Sequence, residues 1–364
     1  MRGIVFNAPG DMRVETVPDP RIVNPTDAIV RVTLAGICGS DLHIYHHGDA
    51  FGFTAGCRVG HEFVGVVEEV GADVRGVKPG DKVASPFWIS CGGCHFCREE
   101  LHTSCIHGGA YGFQPFWPEA AAGGPVEGAQ SEYVRVPFAD GTLERVPESL
   151  AADADDARVL PLTDVFATGY HAATLADIRP GDTVAVIGDG AVGLCAAQAA
   201  SLFGAASIVL LGHHDDRLGI GAQMGATDTI NTSNGVDAAA AIAELTGGLG
   251  PNAVLATIAS PDAMSFACET VRPGGTVAYV GMESFLGAPD LPWTTAFLRN
   301  LTIRGGLAPV RRYLRHFWPL LERGRIDPSP VLTQDLPLED GARGYELMAS
   351  RADGTVKVAL TPSR

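Results

Sequence analysis

A glycine motif between a strand-like and a helix-like segment constrains this chain most strongly. Residues 183–187 (TVAVI) have the character of a buried strand, and residues 191–203 are rich in alanine, as in a packed helix. Between them lies the sequence Gly188-Asp189-Gly190-Ala191-Val192-Gly193, which is a G-x-G-x-x-G motif. In such a motif Gly188 permits a tight turn, Gly190 admits a pyrophosphate to the backbone, and Gly193 lets helix and strand pack closely. The motif predicts a dinucleotide site, with Ala191 and Val192 in the first turn of the helix.

The periodicity around this motif changes along the chain. Strand-like and helix-like runs alternate between about residues 164 and 300, which is typical of a parallel sheet wrapped by helices. Before residue 146, short β-branched runs are broken by Gly, Pro and Asp turns. With 364 residues the chain is long enough for two domains. We therefore predict an α/β protein with a doubly wound parallel-sheet Rossmann domain at 161–300 and a mainly β domain at 1–160 with 301–364.

The end of the second strand of the nucleotide domain bears on the choice of cofactor. Where NAD sites carry an acidic residue that accepts hydrogen bonds from the ribose, the run 207–211 ends in Gly212. Donor or cationic side chains follow at His213, His214 and Arg217 and would suit the 2′-phosphate of NADP. The acidic residues 215–216 weaken this interpretation, although they would equally suit the start of a helix. The sequence favours NADP and leaves NAD open.

Half of the eight cysteines lie in the window 91–105, as Cys91-x2-Cys94-x2-Cys97-x7-Cys105. Clustered thiols in a chain without a secretory signal indicate metal binding rather than disulfides. Four thiolates in one loop predict a closed tetrahedral zinc that staples the chain and leaves no position for substrate. An iron–sulfur cluster and free thiols remain alternatives, because spacing alone does not name the metal.

A second set of metal-ligating residue types is spread along the chain. Cys38, His61 and Asp164 would supply one thiolate, one imidazole and one carboxylate. Three protein ligands with one open position are the arrangement of a catalytic zinc. The residues alone do not establish such a site, because a single Cys or His is more often part of a core.

The composition excludes several function classes. The 26 Lys and Arg against 42 Asp and Glu give a net charge of −16, which repels nucleic acids and anionic membrane surfaces. No apolar run approaches the roughly 20 residues of a membrane span, and residues 1–10 lack the regions of a signal peptide. We expect a cytoplasmic protein that acts on small molecules.

Four motifs together carry a family resemblance. They are Cys38-x-Ser40-Asp41-x-His43, Gly60-His61-Glu62-x2-Gly65-x5-Gly71-x2-Val74, the four-cysteine window and the glycine motif. Over essentially its whole length the chain resembles the zinc-containing alcohol dehydrogenases of the medium-chain dehydrogenase/reductase superfamily. The resemblance implies a GroES-like fold for the mainly β domain and a catalytic zinc on Cys38 and His61. Asp164 stands where many members have Cys, as in the formaldehyde-dehydrogenase-like bacterial branch.

The resemblance also implies roles for single residues. It makes Ser40 and His43 a proton relay, Asp41 the hydrogen-bond partner of the His61 ring, and Glu62 a transient metal ligand. Thr168 and Val192 would contact the nicotinamide, and Lys357 would reach the pyrophosphate, with a solvated surface lysine as the alternative. Phe87 matches a substrate-pocket wall in the family, and Trp117 is a further aromatic candidate for that pocket.

These expectations combine into one predicted activity, with two alternatives. We predict a zinc-dependent oxidoreductase that transfers hydride between NADP(H) and an alcohol, aldehyde or ketone. An NAD-linked formaldehyde dehydrogenase or dismutase is the enzyme alternative, and a non-catalytic binding protein with the same fold is the other. A homodimer or homotetramer is expected, because an exposed edge strand near residues 276–280 would otherwise be free to pair.

Overall fold

The structure is a computed structural model that describes residues 1–116, 126–152, 155–281 and 291–362. The chain divides into two compact units. The first unit combines Met1–Asp164 with Pro309–Arg364, and the second comprises Val165–Ala308. From the sequence, the two boundaries had been predicted after residues 160 and 300.

The first unit is mainly β in its N-terminal part. Its elements there are β1 (Arg2–Ala8), β2 (Asp11–Thr16), β3 (Ala28–Ile37), α1 (Gly39–His47), β4 (Cys57–Arg58), β5 (Glu62–Val70), β6 (Lys82–Ser85), β7 (Trp88–Ile89), α2 (His95–Arg98), β8 (Gly109–Ala110), β9 (Tyr133–Val136), α3 (Ala139–Thr142), β10 (Glu144–Arg145) and α4 (Asp156–Val159).

The second unit alternates strands and helices. Its elements are α5 (Val165–Leu175), β11 (Thr183–Ile187), α6 (Ala191–Leu202), β12 (Ser207–Gly212), α7 (Asp215–Gln223), β13 (Asp228–Asn231), α8 (Ala238–Leu245), β14 (Ala253–Ala256), α9 (Pro261–Thr270), β15 (Thr276–Tyr279), α10 (Trp293–Leu298) and β16 (Thr302–Gly305). The chain then returns to the first unit with α11 (Val310–Glu322), β17 (Leu332–Pro337), α12 (Gly341–Ser350) and β18 (Lys357–Thr361).

Two larger sheets organise the first unit within the described residues, and β7 and β8 form a further two-stranded sheet. One has the order β2-β1-β4, and the other has the order β10-β6-β5-β3-β18-β17, with β9 also paired to β3. The C-terminal strand β18 lies antiparallel to β3, with Ala359 opposite Gly36. Because β3 also pairs with β5, this register brings the starts of β5 and β18 to the same end of β3. The strand β18, near the C-terminus, thus lies in the same sheet as β3 and β5, which come from the N-terminal part of the chain.

The second unit contains one parallel sheet among its described residues, in the order β13-β12-β11-β14-β15-β16. The four inner strands β12, β11, β14 and β15 are mostly apolar and buried, as parallel strands covered by helices must be. From β11 the chain first winds outward through β12 and β13 and then continues on the other side at β14. The carboxyl ends of β11 and β14 therefore flank the switch point at which such sheets bind ligands.

The sheet order corrects the predicted edge strand. Residues 276–279 pair on one side with β14 and on the other with β16, so they are internal. The edge is the neighbouring strand Thr302–Gly305, which lies beyond the boundary predicted at residue 300. Among the described residues, no helix is both long and apolar enough to cross a bilayer.

Candidate active site

Three metal-ligating atoms from distant parts of the sequence meet in the first unit. The Cys38 thiol donates to Asp164 Oδ2 over 3.4 Å, and His61 Nε2 lies 3.2 Å from the same oxygen. With a carboxylate oxygen of Glu62, all the ligand atoms lie within 4.8 Å of one another. A thiolate, an imidazole and a carboxylate that converge on one small volume are a suitable set of ligands for a zinc ion. Cys38, His61 and Asp164 are thus brought together as the sequence predicted.

Local structure explains how these side chains converge. Cys38 directly follows β3 and precedes α1, whose first turn contains Ser40 and Asp41. His61 and Glu62 stand at the start of β5, the antiparallel neighbour of β3, and Glu62 lies opposite Gly36. Asp164 follows the short 3₁₀ turn Leu160–Thr163.

The titration behaviour of the cluster follows from burial and from its own charges. Burial and the carboxylates of Asp164 and Glu62 raise the pKa of the Cys38 thiol to about 11. Burial alone would lower the pKa of His61, but Asp41 and Asp164 raise it well above its usual value. Burial would raise the pKa of Asp164, but the hydrogen bond and charge of His61 hold it below its usual range. The group concentrates negative charge around one histidine, which is the environment that a divalent cation neutralises.

A chain of buried, hydrogen-bonded side chains ends at Asp41, whose carboxylate lies against the His61 ring. Asp41 Oδ1 lies 3.2 Å from His61 Nδ1, and Asp41 Oδ2 accepts from the backbone N–H of Cys38 over 2.9 Å. Gln130 Nε2 donates to Asp41 Oδ2 over 3.0 Å, and its Oε1 accepts from the Tyr345 hydroxyl over 2.8 Å. Asp41 lies where the resemblance placed it. Gln130 and Tyr345 were not predicted from the sequence.

Lys357 lies beside Glu62 in the interior. Its Nζ is 2.5 Å from Glu62 Oε2 and donates to the carbonyl of Ile37 over 3.2 Å, and its side chain is 1% exposed. The alternative of a solvated surface lysine is therefore wrong, and the contact with the pyrophosphate stays a prediction. Burial raises the pKa of Glu62 to about 7, although the ammonium of Lys357 acts in the opposite direction.

Aromatic rings and the residues predicted as a proton relay lie near the predicted metal ligands. The ring of Phe87 lies 6.3 Å from that of His61, and the ring of Phe113, which the sequence did not single out, lies 5.7 Å from it. Ser40 Oγ is 3.3 Å from His61 Nε2, and His43 is partly exposed three residues further along α1. The pocket candidate Trp117 lies outside the described residues.

The four-cysteine window forms a second cluster. The Sγ atom of Cys94 lies 3.5 Å from the Sγ atom of Cys97 and 3.9 Å from that of Cys105. The Sγ atoms of Cys91 and Cys97 are 4.0 Å apart. These distances exclude disulfides and match the spacing of about 3.8 Å between thiolates around a tetrahedral zinc. Burial would raise the pKa of Cys94, but backbone N–H groups and neighbouring thiols lower it to about 6. The donor set and its spacing fit a structural zinc.

The glycine motif lies at the carboxyl end of β11. A Cβ on Gly193 would come within 1.8 Å of the carbonyl oxygen of Gly188, so only glycine permits this approach of helix and strand. Val192 is partly buried in the first turn of α6, and Thr168 is buried on α5. The arrangement of strand, turn and helix is the one that the motif predicts.

At the end of β12 the structure shows a contact that the sequence did not reveal. Asp189 Oδ2 accepts hydrogen bonds from the backbone N–H groups of His213 (2.7 Å) and His214 (2.9 Å). His214 Nδ1 lies 2.8 Å from the same oxygen, and Arg217 Nη1 is 3.9 Å from Asp189 Oδ1. The donors expected to bind a 2′-phosphate therefore face a carboxylate of the protein itself.

Comparisons with known proteins agree with this geometry. Family models match residues 24–148 as an alcohol dehydrogenase GroES-like domain and residues 191–323 as a zinc-binding dehydrogenase. A probable zinc-binding alcohol dehydrogenase of Mycobacterium tuberculosis is 38% identical over 362 residues, which cover 100% of this chain and 89% of that protein. The chain belongs to the zinc-type medium-chain alcohol dehydrogenase family.

Solved structures of this alcohol dehydrogenase family confirm the predicted fold class. Alcohol dehydrogenase TADH from Thermus sp. ATN1 is 38% identical, with a TM-score of 0.90 and full coverage of both chains. A zinc dependent alcohol dehydrogenase 2 from Streptococcus pneumonia is 31% identical, with a TM-score of 0.88, and covers 100% of this chain and 99% of its own. The GroES-like and Rossmann-like domains are thus shown.

The buried chain behind His61 gives a testable prediction for this alcohol dehydrogenase site. We expect Gln130→Leu to weaken zinc binding by about 10- to 100-fold. Asp41, which lies against the His61 ring, would lose the hydrogen bond that Gln130 donates to it. A competition titration with a chromogenic zinc chelator measures the effect. Tyr345→Phe keeps the packing of the ring and removes only the hydroxyl, so its effect should be smaller. An unchanged zinc affinity in a folded Gln130→Leu protein would contradict this role.

Proposed function

We propose that this chain is an oxidoreductase that transfers a hydride between a nicotinamide dinucleotide and an alcohol, aldehyde or ketone. The observation that carries the proposal is the convergence of Cys38 Sγ, His61 Nε2 and Asp164 Oδ2 in one buried cluster. The glycine motif at the carboxyl end of β11 supports a dinucleotide as the hydride carrier. Family membership supports the reaction class.

Cys38, His61 and Asp164 are proposed to hold the catalytic zinc. A bound zinc acts as a Lewis acid that polarises the oxygen of the alcohol or carbonyl group. Asp41 fixes the His61 ring so that its Nε2 points at the metal position. Glu62 adds a nearby carboxylate, which we propose as a transient ligand, held in place by Lys357.

The proton released from an alcohol needs a route through a dry site. Ser40 Oγ lies beside the ligand atom of His61, and His43 follows one helical turn later with partial exposure. An imidazole titrates near neutral pH and suits exchange of this proton with water. We propose Ser40 and His43 as the relay, with Phe87 and Phe113 as apolar neighbours that exclude water around His61.

A coupled assay tests the proposal. The zinc-replete protein is incubated with primary and secondary alcohols and either NAD⁺ or NADP⁺, and reduced cofactor is followed by absorbance. Alcohol-dependent reduction, together with about two zinc atoms per chain, is expected. No turnover with any alcohol or carbonyl compound, in either direction, would favour the alternative of a non-catalytic binding protein.

Formaldehyde remains the second candidate substrate, and Asp164 is the residue that favours it. With formaldehyde, an NAD-linked dehydrogenase would yield formate and NADH, whereas a dismutase would yield formate and methanol without net change of the cofactor. Product analysis separates these two outcomes. Formaldehyde turnover that exceeds turnover of every other substrate would move this function to first place.

The sequence predicts a preference for NADP from Gly212, His213, His214 and Arg217, whereas the contacts of Asp189 favour NAD. Two solved structures, each covering 99% of this chain and 99% of its own, divide on this point. A putative zinc-binding dehydrogenase from Sinorhizobium meliloti 1021, 27% identical with a TM-score of 0.82, is described as bound to NADP. An enzyme described as an NAD-dependent alcohol dehydrogenase is 28% identical with a TM-score of 0.81.

We propose that the second unit forms a dimer contact through β16 and α10. β16 is the edge strand beside β15, and α10 carries three exposed apolar side chains. Their exposed fractions are 67% at Trp293, 81% at Phe297 and 71% at Leu298. Exposed apolar side chains on α10, together with a strand edge that has no partner among the described residues, favour a second copy of the chain.

Phe297→Asp is therefore expected to shift the protein toward monomer, because a charge would be buried in the contact. Sedimentation velocity measures the change. Leu249→Asp is the matched control, because Leu249 is 74% exposed and lies outside both β16 and α10. A wild-type monomer, or an equal effect of both substitutions, would contradict the contact.

A further inference from the structure

We propose that Asp189, the second residue of the glycine motif, selects NAD(H) over NADP(H). The inference rests on the proposed function only in that the second unit must bind a nicotinamide dinucleotide. It assigns to Asp189 the task that an acidic residue at the end of the second strand performs in NAD-binding sheets of this type. Here that strand, β12, ends in Gly212 and provides no carboxylate.

Sterics place the Asp189 carboxylate at the end of β12. β11 and β12 are parallel neighbours, and the backbone N–H of Gly188 donates to the carbonyl of Leu211 over 2.9 Å. A Cβ on Gly212 would lie 2.4 Å from Asp189 Cβ and 2.5 Å from Asp189 Oδ2. The Asp189 side chain thus fills the volume in which a side chain at position 212 would begin. Gly212 and Asp189 are therefore structurally linked, because the Asp189 side chain occupies space that only a glycine at position 212 leaves open.

Hydrogen bonds fix the carboxylate in this position. The backbone N–H groups of His213 and His214 both point at Oδ2, and the His214 ring adds a third contact. Burial would raise the pKa of Asp189, but these hydrogen bonds lower it. Asp189 is therefore a fixed anion at the carboxyl edge of the sheet, where the adenosine ribose of a dinucleotide binds.

The same contacts act against a 2′-phosphate. His214 and Arg217, the donors expected to recognise the phosphate, already face Asp189. A phosphate bound there would lie close to a buried carboxylate and would have to compete with it for the same donors. Ribose hydroxyls, in contrast, donate hydrogen bonds to a carboxylate. The charge arrangement favours the cofactor without the phosphate.

The acids at the start of α7 are the rival candidates for contact with the ribose. Asp215 and Asp216 are exposed in the first turn of α7. Asp215 Oδ1 accepts from Asn231 over 2.6 Å, and Asp216 Oδ1 accepts from the backbone N–H of Arg217 over 2.9 Å. Acids in a first turn are explained by the helix dipole alone. Neither fills the space at Gly212, as Asp189 does.

The test is a fluorescence titration of the full chain with NADH and, separately, NADPH at fixed ionic strength. Wild type is expected to bind NADH about tenfold or more tightly than NADPH, as the gain or loss of one charged hydrogen-bond partner implies. Asp189→Asn keeps the size of the side chain and an oxygen that accepts from the backbone, but removes the charge. We expect it to reduce this ratio by about tenfold, with NADPH bound more tightly than by wild type.

Controls separate position from charge. Asp228→Asn removes the same charge at the first residue of β13, at the opposite end of the parallel sheet, and should leave the ratio unchanged. Asp215→Asn and Asp216→Asn test the rivals. Circular dichroism monitors folding, and Asp189→Ser provides a second variant with a smaller side chain if Asp189→Asn does not fold.

Three results would overturn the inference. They are tighter NADPH binding by wild type, an unchanged ratio in both Asp189 variants, and a shift produced by Asp215→Asn or Asp216→Asn instead. Failure of wild type to bind either cofactor would refute the proposed function itself, and the inference with it. Binding of both cofactors with a ratio that does not depend on Asp189 would refute the inference alone.

Discussion

Asp164→Ala is expected to lower kcat/KM for alcohol oxidation by about 10³-fold, which corresponds to about 4 kcal/mol of transition-state stabilisation. Asp164 Oδ2 is the atom that both Cys38 Sγ and His61 Nε2 approach, so its loss would remove one of the three proposed ligands. The zinc content should fall from about two atoms per chain to about one, because the four-cysteine cluster does not involve Asp164. Steady-state kinetics and elemental analysis of the same preparation measure both effects.

Asp164→Cys is the matched variant for this prediction. It replaces one anionic ligand with the thiolate that many family members have at this position, so zinc content should stay near two atoms per chain. Retention of wild-type activity by Asp164→Ala would contradict the assignment of the catalytic site. Loss of zinc from the four-cysteine cluster in that variant would contradict the independence of the two metal centres.

Cys97→Ser is expected to produce the largest loss of stability. Cys97 lies buried between the other sulfurs of its cluster, at 3.5 Å from Cys94 and 4.0 Å from Cys91. Removal of one thiolate would open the proposed tetrahedral site, and structural zinc sites contribute to folding. We expect a loss of about 4 kcal/mol or more, equivalent to a fall in Tm on the order of 10 °C. Differential scanning calorimetry, with zinc analysis, provides the measurement.

Cys57→Ser tests whether the effect belongs to the cluster. Cys57 is a free, partly buried thiol outside both metal groups, with its Sγ 3.3 Å from Gln114 Oε1. The same chemical change there should leave the zinc content intact and the Tm close to wild type. Equal destabilisation by both substitutions would show that the four-cysteine cluster holds no structural metal.

The parts of the fold predicted from sequence were those in which local pattern and tertiary environment agree. Residues 183–187 form a strand as predicted, because their apolar side chains are buried in a sheet covered by helices. The first choice for the edge strand, residues 276–280, was wrong for the opposite reason, whereas the alternative of a neighbouring strand holds. Thr302–Gly305 is short and mostly exposed, so it carries neither the apolar run nor the alternation that marks a strand.

The parts of the site that the sequence missed depend on long-range contacts. Gln130 is 89 residues from Asp41, and Tyr345 is 215 residues from Gln130. A lone glutamine or tyrosine carries no motif, and only the tertiary fold brings α1, α12 and the segment before β9 together. Asp189 was visible as a variable position of the glycine motif, but the direction of its side chain was not. Gly212 indicates that a neighbouring side chain, here that of Asp189, approaches the backbone closely, and not only that a carboxylate is missing from the end of β12.

Transfer of deuterium from a labelled alcohol to the cofactor tests the central claim most directly. The zinc-replete enzyme is incubated with alcohols deuterated at the carbinol carbon, and with deuterated formaldehyde, in the presence of NAD⁺ or NADP⁺. Mass spectrometry of the reduced cofactor should show one deuterium from wild type and almost none from His61→Ala or Asp164→Ala. Reduced cofactor without deuterium, or equal labelling by wild type and both variants, would contradict hydride transfer at the Cys38, His61 and Asp164 site.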